Sequence, residues 1–318
     1  MTDGTMAGGA MAGGAMTGGA MTGCAMTGGT AAGGTGDEWR AGLLDLDAYL
    51  TRVGFAGALE PTWATLAALH RAHVAAIPFE NLDVFLGRGV RVDLGSVQAK
   101  LVAGRRGGYC YEHGVLFAAV LERIGYQVDR LLARIGYKPR FSRPRTHMTL
   151  HVTGRDGQWL ADVGFGAGLL EPLPWDASGR AHTQGGWTYR IAEPEAGTWV
   201  TQQASGGKWL DLYTIVAEPQ HASDVDMSNY FTSTHPRSPF TGHAIVMRKT
   251  ADVQHRLRDR DLTTIWPDGT STERALADAE IIAALREMFG LPLTGEEVAR
   301  VLATLPPLVT SPSAGLAR

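Results

Sequence analysis

The chain has 318 residues, 44% of them hydrophobic and 19% charged, with a formal net charge of -3. That length can bury a sizeable core in two or three packed subdomains, while the slight acidic excess argues against nucleic acid or an anionic membrane as partner, since both require a basic face. Two cysteines, Cys24 and Cys110, imply no disulfide framework and fit a reducing, cytoplasmic setting.

No apolar run reaches the length of a membrane span. The N-terminus does not read as a secretory signal, because its first basic residue is Arg40 and glycines interrupt every apolar stretch. From Met6 the sequence repeats in fives, as Met6-Ala-Gly-Gly-Ala and its variants through Met26. Glycine costs backbone entropy and the methionines are too sparse for a core, so residues 1–36 read as a disordered Met/Gly-rich tail. A translated stretch upstream of the true start and a methionine-rich metal-binding tail are the other readings of it.

Folded sequence is expected from Asp37. Leu46, Tyr49, Leu50 and Val53 share a helical face that Gly54 ends, and Pro61 opens a second helix with Trp63, Leu66, Ala67, His70 and Val74 inward. His70 and His73 lie three apart with nothing nearby to complete a metal set, and read as ordinary helix residues. A short helix around Val97–Leu101 follows, then a helix from Cys110 to Ile124. Beyond Gly125 the period changes to two. Strands are expected at Val128–Ile135, His147–Val152, Gln158–Val163, Trp187–Ile191 and Thr198–Gln203, an antiparallel barrel or sandwich. Past Asp211 the pattern mixes: Tyr230–Pro236 reads as a loop, Ala244–Met247 and Leu262–Trp266 as strands, Asp278–Phe289 as a helix, and Thr294 with Glu297 as the capping box of a last helix.

The stretch Arg106-Gly107-Gly108-Tyr109-Cys110-Tyr111-Glu112-His113 is a glycine turn feeding an apolar helix. A cysteine in the first helical turn sits where unpaired backbone N–H groups and the positive end of the dipole favour an anion. A cysteine nucleophile also needs a base and a group that orients it. Alternation puts His147, Thr149 and His151 on one strand face, with Leu160 and Asp162 on the next strand. If Gly154–Gly157 forms the turn, Thr149 lies opposite Asp162 and His147 is its diagonal neighbour; a turn centred on Asp156-Gly157 would instead set His151 across from Asp162. Pattern leaves the histidine open, and Asp162 could equally cap the Gly164-Phe165-Gly166 turn while both histidines pack.

Five blocks together resemble the arylamine N-acetyltransferases: Arg106–His113, Ile77-Pro78-Phe79-Glu80-Asn81-Leu82, Arg145-Thr146-His147, Ala161-Asp162-Val163-Gly164-Phe165-Gly166 and Thr232-Ser233-Thr234-His235-Pro236. The resemblance runs from about Leu43 to Phe240 and implies a Cys-His-Asp triad at Cys110, His147 and Asp162. It implies an α+β fold with a cysteine-protease-like core: an N-terminal helical bundle carrying the nucleophile (37–125), a central antiparallel β-barrel (126–210) and a C-terminal α/β lid (211–318). One departure is visible, Gly114 where the family commonly has asparagine.

The implied activity is transfer of an acetyl group from acetyl-CoA, as co-substrate and with no metal, to the nitrogen of an arylamine, arylhydrazine or N-hydroxyarylamine through acetyl-Cys110. Phe79, Tyr111, Phe165 and Phe240 are the candidate aromatic walls for a flat substrate. Thr146, Gly166 and Thr234 are candidates for the pantetheine path, and Arg106 with Glu80 for an ion pair that ties the cysteine turn down. A small aromatic amine or hydrazine is the expected partner, with a homo-oligomer left open. The rival readings are an amide synthase acting on a polyketide acyl chain, a cysteine hydrolase, and a binding protein with an inert cysteine.

Overall fold

A computed structural model describes residues 38–137 and 143–308; the repeat-bearing residues 1–36, with Cys24, lie outside them. Helices α1 (Leu46–Val53), α2 (Trp63–Ala76), α3 (Leu82–Phe85), α4 (Leu94–Gln98) and α5 (Cys110–Ile124) form the N-terminal part, with the two-residue strand β1 (Phe79–Glu80) after α2. Local chemistry sets their ends. Asp45 caps α1 by accepting from Ala48 N and Gly54 closes it at φ 69°, while Thr62 caps α2. Every residue of α5 from Cys110 to Leu121 is buried, which is what an all-round apolar helix requires. The bundle core of Tyr49, Leu66, Leu69 and Leu101 closes over it.

Eight antiparallel strands follow: β2 (Gln127–Ile135), β3 (His147–Thr153), β4 (Gln158–Ala161), β5 (Leu173–Pro174), β6 (His182–Gln184), β7 (Trp187–Glu195), β8 (Thr198–Ser205) and β9 (Lys208–Ile215), ordered β5-β4-β3-β2-β9-β8-β7-β6. The two edges approach at a seam held by Gln184, whose Oε1 accepts from Leu170 N at 2.9 Å and whose Nε2 donates to Glu171 O at 2.7 Å. The barrel is thus nearly closed, around Leu131, Leu160, Trp187, Tyr189 and Tyr213.

After α6 (Ala222–Thr234) comes a second antiparallel sheet, β10 (Ile245–Lys249), β11 (Gln254–Arg258), β12 (Asp261–Ile265) and β13 (Ser271–Ala275), covered by α7 (Asp278–Ala283) and α8 (Gly295–Thr304) through Leu257, Leu262, Ile281, Phe289 and Val298. Its first strand is β1, so the N-terminal segment contributes to the C-terminal sheet. Likewise β9 runs past residue 210 as part of the barrel. Among the described residues no helix is long and apolar enough to cross a membrane.

The structure corrects one expectation: Tyr230–Thr234 is the last turn of α6 and not a loop. Hydroxyl-rich sequence is poor helix former. Here the hydroxyls turn back onto the helix, Thr232 Oγ1 donating to Ser228 O at 2.8 Å, and Val225, Asn229 and Thr232 bury one face. Tertiary burial outweighs local propensity.

Candidate active site

The turn before α5 is clamped from below. Arg106 Nη2 meets buried Glu80 Oε1 at 2.7 Å, Glu80 N donates to Gly108 O at 2.8 Å, and Glu112 Oε2 accepts from Tyr109 N at 3.0 Å. Lys100 Nζ bridges Glu112 at 2.9 Å and Asp83 at 2.8 Å. Burial raises the Glu112 carboxyl to about 7, against the pull of Lys100. Gly107 has to be glycine, because a Cβ there would stand 2.3 Å from Pro78 O. The result is a rigid platform that presents Cys110 at the head of α5.

The hairpin of β3 and β4 resolves the choice of histidine. Its pairs Leu150↔Ala161, Val152↔Trp159 and Thr153↔Gln158 carry Thr149 toward Asp162, the register of the Gly154–Gly157 turn, and Gly154 N donates to Gly157 O. His147 Nε2 lies 2.7 Å from Asp162 Oδ2, both groups buried. His151 instead contacts Asp129 Oδ2 at 3.0 Å and stacks on Trp175. Asp162 also caps the turn that follows it, its Oδ1 accepting from Gly164 N at 3.0 Å. Gly164 passes so close to α5 that a Cβ there would lie 2.9 Å from Cys110 Cα. That approach brings Cys110, His147 and Asp162 into one array.

Burial opposes charge on His147, yet the Asp162 carboxylate and the hydrogen bonds to Asp162 and Cys110 outweigh it and push the imidazole up to about 10. Burial also opposes ionisation of Asp162, but His147 holds its carboxyl below the usual range. Imidazolium and carboxylate therefore coexist at neutral pH. Phe165 and Tyr213 pack on the imidazole with centroids at 5.1 and 4.7 Å, and Cys110 Sγ reaches Thr146 O at 3.7 Å.

The array opens into a cleft of about 720 Å³ lined by Cys110, His147, Thr146, Phe79, Phe165 and Phe240 among others. Of the four aromatic residues expected there, Phe79, Phe165 and Phe240 line this cleft. Tyr111 is not among the lining residues: it is fully buried, its hydroxyl bound to Ser228 at 2.6 Å and Thr232 at 3.1 Å. Nor do Gly166 and Thr234 line this cleft. Gly166 packs behind Phe79 and Met247, and Thr234 Oγ1 donates to Tyr230 O.

Two further histidines abut this array: His70, read from sequence as an ordinary helix residue, and His113 of the cysteine block. His70 Nδ1 lies 3.0 Å from Leu170 O and so carries the proton, leaving Nε2 to accept the backbone N–H of Asp162 at 3.2 Å. Likewise His113 Nε2 faces Gly108 O at 3.0 Å, its Nδ1 accepts from His73 Nε2 at 2.8 Å, and His73 Nδ1 accepts from the Tyr49 hydroxyl at 3.0 Å. Burial lowers His70 and His113 to about 4, which keeps both neutral for these roles. Spacing could not reveal them, because their partners lie 92 and 40 residues away.

The sequence profile of the N-acetyltransferase family matches residues 62–298. An arylamine N-acetyltransferase of Mycolicibacterium smegmatis is 38% identical over 258 residues, 79% of this chain and 93% of its own. The solved arylamine N-acetyltransferase of Mycobacterium abscessus superposes with a TM-score of 0.79 at 38% identity, covering 84% of this chain and 96% of that one. That of Mycobacterium marinum, solved in complex with CoA, gives 0.75 at 32% identity, covering 82% and 100%.

Proposed function

The chain belongs to the arylamine N-acetyltransferase family, and we propose that it moves an acetyl group from acetyl-CoA to an aromatic amine or hydrazine in two half-reactions through acetyl-Cys110. In the first, the Cys110 thiolate attacks the thioester carbonyl; the bond to the CoA sulfur breaks, and His147 gives that sulfur its proton. In the second, the amine nitrogen attacks the acetyl-cysteine carbonyl. His147 takes the amine proton, the C–S bond breaks, and the thiolate is restored.

Asp162 keeps the imidazole oriented throughout and stabilises its charged form before the first step and after the second. The N–H groups of Cys110 and Tyr111 open α5 and have no acceptor within it, so they are available to a developing oxyanion. Phe79, Phe165 and Phe240 offer stacking faces to a flat acceptor, and Thr146 lies on the donor's approach.

The observation that carries this reading is the buried 2.7 Å contact between His147 Nε2 and Asp162 Oδ2 beside Cys110 at the mouth of an aromatic cleft. The test is intact-protein mass after mixing with acetyl-CoA alone, then peptide mapping and addition of a simple arylamine. One acetyl group on Cys110, discharged by the amine, is expected. A reactive Cys110 that acetyl-CoA leaves unmarked would overturn the proposal.

A further inference from the structure

The part of the cleft lining that the second sheet supplies ends in arginines. Strand register places it: Phe79 of β1 bridges Gly108 beside the nucleophile on one side and pairs with Met247 of β10 on the other, and Met247 pairs with Arg256 of β11. One step along the same face, Ile245 pairs with Arg258. All five side chains line the cleft, as alternation along a strand requires. With strands about 4.8 Å apart, β11 stands roughly 10 Å from β1, beyond the apolar surface of Phe79, Met247 and Ile245.

These arginines differ from those elsewhere in the fold. Arg106 meets Glu80, Arg260 meets Asp278 and Arg274 meets Glu280, each within 2.7 Å. Arg256 and Arg258 have no carboxylate in ion-pair reach among the described residues; the hydrogen bond of Arg256 is to Thr263 Oγ1 at 3.4 Å. Arg237 and Arg143 add two more cations to the lining, which contains no Asp or Glu. In a chain of net charge -3, this concentration of unopposed guanidinium around one cleft is a field for an anion.

We propose that Arg256 and Arg258 form an anion subsite on the β11 wall, gripping a phosphate of the acyl donor or an acidic substituent of the amine while the reacting end of that ligand lies at Cys110. The inference rests on the acetyl-transfer reading for what enters the cleft. Guanidinium suits the task because its planar fork bonds two oxygens of a phosphate or carboxylate at once, and the apolar surface between it and Cys110 accommodates the uncharged body of either ligand.

The test is calorimetric binding, which needs no acyl transfer and works equally in a Cys110→Ser background. Coenzyme A and 4-aminobenzoate are the anionic probes, with pantetheine and aniline as their uncharged counterparts. The Arg256→Gln/Arg258→Gln double variant, whose thermal unfolding should match wild type since both side chains are exposed, is expected to bind an anionic probe at least about tenfold more weakly while holding the uncharged ones within about twofold. Loss confined to coenzyme A identifies the donor's phosphates as the anion; loss confined to 4-aminobenzoate identifies the acceptor. Unchanged binding of both anions, or equal weakening of charged and uncharged probes, overturns the subsite.

Discussion

His70 Nε2 accepts the backbone N–H of Asp162 at 3.2 Å, while its protonated Nδ1 is tied to Leu170 O. The carboxylate that orients His147 is therefore anchored through its own main chain by a neutral, fully buried imidazole. His70→Phe keeps the packing on Phe117 but leaves a buried N–H without an acceptor, at a cost of about 1–3 kcal/mol. Lower thermal stability and a lower kcat are expected, with His70→Gln, which offers an amide oxygen, closer to wild type in both. Equal behaviour of the two variants would reduce His70 to a space-filling role.

The charged pair gives stability a pH signature at both ends. The folded pKa of His147, pushed up to about 10, exceeds its ordinary 6.5, so its contribution is complete below about 6.5 and is lost as pH rises through about 10. Asp162 is shifted the other way. Its contribution is present above about 3.8 and disappears as pH falls through its lowered folded value. Asp162→Asn should thus unfold at a lower temperature than wild type near neutrality, with the gap narrowing toward both extremes. A gap independent of pH would mean that the pair is not ionised.

Alkylation of Cys110 at neutral pH should slow by an order of magnitude or more in Asp162→Asn, because the His147 imidazolium beside the sulfur loses its counter-charge. Iodoacetamide kinetics with peptide mapping would read this directly. Wild-type rates in the variant would show that the sulfur is activated without the dyad.

Register predicts a sharp contrast between two histidines on one strand. His147→Ala should lower the rate of acetyl transfer at least about a hundredfold, the scale of lost general acid–base catalysis. His151→Ala removes a partly exposed contact with Asp129 and should stay within a few-fold of wild type. The reverse order would place the base elsewhere in the hairpin.

Gly114 is explained by its neighbour across the core. A Cβ at this position would stand 2.9 Å from the sulfur of buried Met148. Gly114→Asn should therefore overpack the interface of α5 and β3 and destabilise by about 1–3 kcal/mol in urea unfolding. Met148→Ala should recover part of that loss when combined with it, as expected for two side chains competing for one space. Additive losses in the double variant would locate the strain elsewhere.

Much of the molecule was legible from local chemistry. The apolar run after Cys110 can only be a buried helix, the period-two segments can only be strands, and the five-block resemblance points to Cys110, His147 and Asp162. These features depend on neighbours within a few residues, where spacing and propensity act. Other features depend on which distant segments meet. Residue spacing alone did not choose between His147 and His151, because a change of turn register alters which of them faces Asp162; the hairpin pairing chose. Likewise α6 is a helix because tertiary burial of Val225, Asn229 and Thr232 outweighs weak helix formers. Tyr111, adjacent to the nucleophile in sequence, points away from the cleft toward Ser228 and Thr232 of α6. His70 reaches Asp162, and Arg256 and Arg258 reach the cleft, only after two sheets and a buried helix have been packed together. Such long-range encounters leave no periodic trace in the chain, and tertiary packing alone decided them.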